Sequence, residues 1–131
     1  MIKPNPYTKM QDDAIMSASK EELTLMLYEG GIKFCNQALA ALEKKDIPKA
    51  NDLILRVQDI VREFQITLNH DYPIARQFDN LYDYMHRKLV EANFRKDAVV
   101  LNEVLGMFRS FRDTWKEAMK LARTGAAANV S

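Results

Sequence analysis

The sequence predicts an all-α protein, a mostly antiparallel four-helix bundle with an N-terminal cap segment. Glycine and proline number only 4 each in 131 residues, and Pro4, Pro6, Pro48 and Pro73 stand at the margins of the periodic segments. Long stretches are therefore free of helix breakers. Within them apolar residues recur every three or four positions, the helical period, and no alternating strand pattern runs beyond a few residues. The links between segments are short enough to favour antiparallel neighbours.

The first helix is expected from about Lys20 to Glu43, opening on Ser19-Lys20-Glu21-Glu22, a capping box in which Ser19 accepts from the backbone three residues on and Glu22 reaches back. Its core stripe reads Leu23, Leu27, Gly30, Phe34, Ala38 and Leu42. The second runs from about Ile47 to Leu68, with Asp46 as N-cap, Pro48 in the first turn, and a stripe of Ala50, Ile54, Val57, Val61, Phe64 and Leu68. The third spans about Pro73 to Phe94, with a stripe of Ile74, Phe78, Leu81, Met85, Leu89 and Ala92. The fourth spans about Ala98 to Arg123, capped by Asp97, with a stripe of Leu101, Val104, Phe108, Phe111, Trp115, Met119 and Ala122. Residues 1–18 are expected to form a partly flexible cap segment outside the bundle of residues 19–123, and residues 124–131 a disordered tail.

Composition narrows the function. A chain of this length buries roughly two-thirds of its unfolded surface and needs neither disulfide nor metal to fold. Lys plus Arg is 19 against 18 for Asp plus Glu, a net charge of +1 that gives no footprint for nucleic acid. The single cysteine, Cys35, fits a reducing compartment and reads as an inert thiol on an apolar helix. The opening MIKPNPYTKMQDD lacks the apolar core of a signal peptide, and no apolar run is long enough for a membrane span, so the expected location is the cytoplasm.

Catalysis has little support. Asp83 and His86 are three residues apart, a spacing used in di-metal bundles, but such sites need a second pair and further carboxylates, and the other histidine, His70, falls in a link. As a phosphotransfer histidine, His86 is followed by Arg87-Lys88-Leu89 rather than a small residue that would admit a phosphodonor. No glycine-rich phosphate loop is present. The protein is read as a non-enzyme without cofactor or metal.

The first helix carries more apolar surface than a bundle stripe requires. Leu25, Tyr28, Ile32, Cys35 and Leu39 make a second row beside the core stripe, expected either to lie under the N-terminal segment, with its Tyr7, Met10 and Ile15, or to offer a groove to a partner helix. Gly30 and Gly31 in mid-helix cost about 1 kcal/mol each relative to Ala, and their missing Cβ atoms admit another backbone closely.

Three blocks give the sequence a family likeness. They are Asn5-Pro6-Tyr7 with Ser17-Ala18-Ser19 leading into Glu22-Leu23-Thr24-Leu25-Met26-Leu27-Tyr28-Glu29-Gly30, then Leu81-Tyr82-Asp83-Tyr84-Met85-His86-Arg87-Lys88-Leu89-Val90-Glu91-Ala92-Asn93, and last Phe111-Arg112-Asp113-Thr114-Trp115-Lys116-Glu117-Ala118-Met119. Together they resemble the flagellar secretion chaperone family (FliS) over roughly residues 5–120. The resemblance implies a cytoplasmic export chaperone that binds the disordered C-terminal segment of flagellin, prevents premature polymerisation and delivers it to the flagellar type III export gate. It also implies an N-terminal segment that lies over the binding groove and moves when flagellin binds. On that basis the groove and cap are expected at Tyr7, Met10, Ile15, Leu25, Tyr28, Ile32, Tyr82 and Met85. The chain departs from the family pattern at Met10, where many relatives have a second aromatic, and at Lys20, where proline is common. The alternative is a helical adaptor for a flagellar regulatory protein; some family members also engage regulators or co-chaperones.

Overall fold

The computed structural model describes residues 19–124 and contains four helices: α1, Lys20–Glu43; α2, Ile47–Thr67; α3, Ala75–Arg95; and α4, Ala98–Arg123. The caps act as their chemistry requires. The Ser19 hydroxyl accepts from the Glu22 N–H at 3.2 Å, Asp46 accepts from Lys49 at 3.3 Å, and Asp97 accepts from both Val99 and Val100. At two links one pair of residues ends one helix and starts the next. Lys45 and Lys96 adopt the left-handed conformation, with φ of 59° and 51°. The following Asp46 and Asp97 turn their N–H groups back to the carbonyls of Ala41 and Ala92, at 2.8 and 3.0 Å, while their carboxylates cap the next helix. α3 begins at Ala75 rather than Pro73, because Tyr72, Pro73 and Ile74 form a turn first, and Ile74 is exposed.

Each helix packs on its neighbours in sequence, and α4 closes the ring against α1. Cross-helix pairs fix the directions. Tyr28 lies against Phe64, Asn51 bonds Asn93, Tyr84 bonds Glu103, and Trp115 bonds Glu21, so early residues of each helix meet late residues of the next, as in an antiparallel bundle. The core has Cys35, Ile54, Val57, Met85, Leu89, Leu101, Val104 and Phe108 fully buried at its centre. Among the described residues no buried side-chain N or O atom lacks a hydrogen-bond partner, and no helix is long and apolar enough to cross a membrane.

The expected stripe of α2 is buried from Ala50 to Phe64, with Leu68 half-buried just past the helix end at Thr67, and that of the first half of α4 is buried. That of α1 is not the one expected. Tyr28, Gly31, Ile32, Cys35, Ala38 and Ala41 are buried, whereas Leu23, Leu27, Phe34 and Leu42 are half-buried. The row assigned to the outside, represented by Tyr28, Ile32 and Cys35, is therefore the core. α1 packs against both α2 and α4, so small residues occupy its central line, where the helices approach most closely, and the large ones reach around the flanks. Gly31 shows the constraint most sharply, since a Cβ there would stand 2.7 Å from the Phe108 ring.

Candidate functional site

At the end of the bundle where α1 begins, α2 ends, α3 begins and α4 ends, the helices part to leave a cleft of about 300 Å³. Its walls are Tyr28 from α1, Phe64 from α2, Phe78 and Tyr82 from α3, and Phe111 and Trp115 from α4, with Thr24, Thr67, Asn69 and Thr114 among its polar groups. The rings form a continuous cluster. Tyr28 and Phe64 have centroids 4.7 Å apart, Phe64 and Tyr82 5.5 Å, Phe78 and Tyr82 6.2 Å, and Phe111 meets Tyr82 edge-on at 6.4 Å. Such pairs contribute about 0.5–1.5 kcal/mol each beyond the area they bury, which makes the cleft a rigid, preformed surface.

Among the described residues no charged side chain lines the cleft. Burial pushes the Tyr28 phenol above its ordinary range, with a hydrogen bond to Tyr82 partly offsetting it. The Tyr82 phenol is raised further by burial, then by its Tyr28 neighbour and the Asp79 charge. Both hydroxyls thus stay neutral, and the cleft suits uncharged, apolar groups with a few hydrogen-bonding atoms rather than an ion. Outside one wall, the link between α2 and α3 is held to α3 by His70 Nε2 and Asp79 Oδ2, 2.6 Å apart.

The Trp115 indole N–H donates to the Glu21 carbonyl at 2.9 Å, joining α4 to the first turn of α1 at the cleft wall. Replacing Trp115 with phenylalanine keeps an aromatic six-membered ring while removing the donor together with the pyrrole half of the indole. The expected outcome is a loss of about 1 kcal/mol, a few degrees in Tm, read by circular dichroism. An unchanged melt would show that the bond adds no stability.

The structure brings together two of the residues expected at the groove, Tyr28 and Tyr82, both lining the cleft while only 7% and 5% exposed. Leu25 is half-buried and lies outside the lining. Ile32 and Met85 face the bundle core, and Met85 has no exposed surface. Tyr7, Met10 and Ile15 lie outside the described residues. Phe64, Phe78, Phe111 and Trp115 were assigned to core stripes and prove to be cleft wall as well. Their position at the same end of an up-and-down bundle was the available signal. Cys35 is sealed in the core, with burial pushing its thiol up to about 12. His86 is half-buried, and burial followed by the Arg62 charge lowers its pKa. No group of three potential metal ligands occurs among the described residues.

A helical bundle that opens at one end into an uncharged aromatic cleft has the architecture of a protein that binds an apolar segment. The family model described as "Flagellar protein FliS" matches residues 3–122. The chain is 40% identical over 123 residues to the flagellar secretion chaperone FliS of Bacillus subtilis (strain 168), covering 94% of this chain and 92% of that protein. It is 31% identical to the protein of that name from Salmonella typhimurium over 109 residues, 81% of each chain, and 27% identical to that of Vibrio cholerae over 114 residues, 85% of this chain and 84% of the relative. The chain belongs to the FliS family of flagellar secretion chaperones.

Proposed function

We propose that this protein is a cytoplasmic export chaperone that binds the disordered C-terminal region of flagellin, prevents its premature polymerisation and delivers it to the flagellar type III export gate. The aromatic cleft carries this reading. A disordered tail with amphipathic character folds as it docks, and the large ordering cost calls for preformed apolar pockets that take its anchors. Tyr28, Phe78, Tyr82 and Phe111 supply such a pocket without a charge to desolvate.

Residues 1–18 act in the same reading as the cap. They join α1 at Ser19, two residues from Glu21, whose carbonyl holds the cleft-lining Trp115. Tyr7, Met10 and Ile15 are the apolar side chains available to occupy the cleft until flagellin displaces them.

Calorimetric titration with a flagellin C-terminal peptide is the direct test, and Trp115, the only tryptophan of the chain, is an internal fluorescent reporter at the cleft wall. Saturable one-to-one binding with a change in tryptophan emission is expected. Phe78→Ala removes a half-buried wall residue and should weaken binding about tenfold to thirtyfold while the bundle stays helical. Deleting residues 1–16 should tighten binding, because the competing segment is gone. An absence of binding, or a Phe78→Ala variant with unchanged affinity, would refute the assignment of flagellin to the cleft.

A further inference from the structure

The end of the bundle away from the cleft is basic. Both tight bends lie there, and each repeats one pattern of two cations, a capping aspartate and an apolar residue. The first reads Lys44-Lys45-Asp46-Ile47 and the second Arg95-Lys96-Asp97-Ala98. Lys49, in the first turn of α2, adds a fifth cation. None of the five takes part in an ion pair among the described residues. Lys96 Nζ donates to the Asn93 carbonyl and side-chain oxygens, which are neutral acceptors. The carboxylates at the bends are Glu43, Asp46 and Asp97, and the last two accept from the N–H groups that open α2 and α4.

The same end exposes large apolar side chains. Phe94, in the last turn of α3, is 88% exposed, and Val99, in the first turn of α4, is 79% exposed. Ile47, the first residue of α2, is exposed as well. The bond between Asn51 and Asn93, 2.9 Å long, holds the start of α2 level with the end of α3, so Ile47 and Phe94 stand at one height. Exposed apolar groups of this size among unpaired cations mark a surface that meets something else.

A protein and a lipid surface place different demands on such a tip. Protein interfaces are depleted of lysine and seat their anchors in fitted pockets. Here four of the five cations are lysines, and the apolar side chains project from three different helix ends. A bilayer interface needs no matching shape. Protruding apolar groups enter among the headgroups, while flexible lysine stems keep their ammonium groups at the phosphates. Each cation near an anionic leaflet adds attraction, which fades within a Debye length. We propose that the bend end of the bundle is a peripheral docking surface for an anionic lipid bilayer. It is independent of the flagellin assignment, because no cleft residue takes part. The 24 residues of α1 span about 36 Å, so a molecule standing on its bends holds its cleft that far from the membrane and facing away from it.

Co-sedimentation of the full chain with phosphatidylcholine vesicles containing phosphatidylglycerol tests this. Binding is expected at low salt and should fall at least about tenfold with pure phosphatidylcholine, and similarly in about 0.5 M NaCl. Lys44→Glu with Arg95→Glu should weaken it at least about tenfold, and Phe94→Ser, which leaves the charge unchanged, about threefold or more. Lys20→Glu with Arg76→Glu makes the same change of net charge at the opposite end and should have a much smaller effect. Circular dichroism checks that these exposed substitutions leave the helices intact. Equal binding to both vesicle types, a Lys44→Glu and Arg95→Glu variant that binds like the parent, unchanged binding by Phe94→Ser, or an equal loss from the change at the opposite end would each overturn the proposal. So would a chain that ignores the vesicles yet is retained by polyglutamate through these residues, since the tip would then belong to an acidic protein.

Discussion

Phe108→Ala should destabilise the protein by about 3–5 kcal/mol, the largest single loss expected from any core truncation here. Phe108 is the largest fully buried side chain, and its ring lies against the bare backbone of Gly31. The two positions are expected to be strongly coupled. Alone, Gly31→Ala gains roughly 1 kcal/mol of helix propensity but drives a methyl group to within 2.7 Å of a ring that the core holds on all sides, at a cost of about 1–3 kcal/mol. In the Phe108→Ala background the obstruction is gone, and Gly31→Ala should become neutral or stabilising. A double-mutant cycle in urea measures this, and additive losses would show that the close approach of α1 and α4 is not what requires glycine.

Tyr28→Glu is expected to cost at least about 3 kcal/mol, because Tyr28 is at once cleft wall and core, 7% exposed with its ring near Phe64 and Phe111. The pH dependence identifies the cause. A buried glutamate has its folded-state pKa raised above the unfolded value of about 4.3. The variant is therefore closest to the parent below that value, and the deficit grows as pH rises through the raised folded-state pKa. Tyr28→Phe, which keeps the ring, should cost less than about 1 kcal/mol. Chemical denaturation of both variants from pH 4 to pH 8 checks the prediction. A Tyr28→Glu variant as stable as its parent at neutral pH would show that the side chain swings out of the bundle.

Most of the fold could be read from the sequence because helix termini are chosen locally. Ser19, Asp46 and Asp97 announce their helices by their own chemistry, and the boundaries of α1 and α4 fell where these residues put them. The start of α3 was less legible, since Ile74 bears no capping side chain and the turn before it depends on how the link packs. The inner face of α1 was misread for a different reason. Hydrophobic size suggested Leu23, Leu27 and Phe34, but closeness of approach selects small residues, and which line of Gly, Cys and Ala meets a neighbour is settled by two other helices. The cleft was half legible. Tyr28 was singled out by the surplus apolar row of α1 and Tyr82 through the family likeness, while Phe64, Phe78 and Phe111 look like ordinary core until the helices are stood side by side and their aromatic ends coincide.

The two Lys-Asp junctions have a mechanical consequence. At Lys45-Asp46 and Lys96-Asp97 a residue that terminates one helix is bonded directly to the cap of the next, and the backbone returns on itself with almost no slack. Both junctions lie at the same end of the molecule, far from the cleft. Among the described residues the opposite end is crossed only by the longer connection between α2 and α3, anchored through the exposed pair His70 and Asp79. The bundle is thus two hairpins, α1 with α2 and α3 with α4, each closed tightly at its bend, with their open ends brought together around the aromatic rings. In the proposed function a guest would enter and leave at those open ends, so neither bend has to come apart for release.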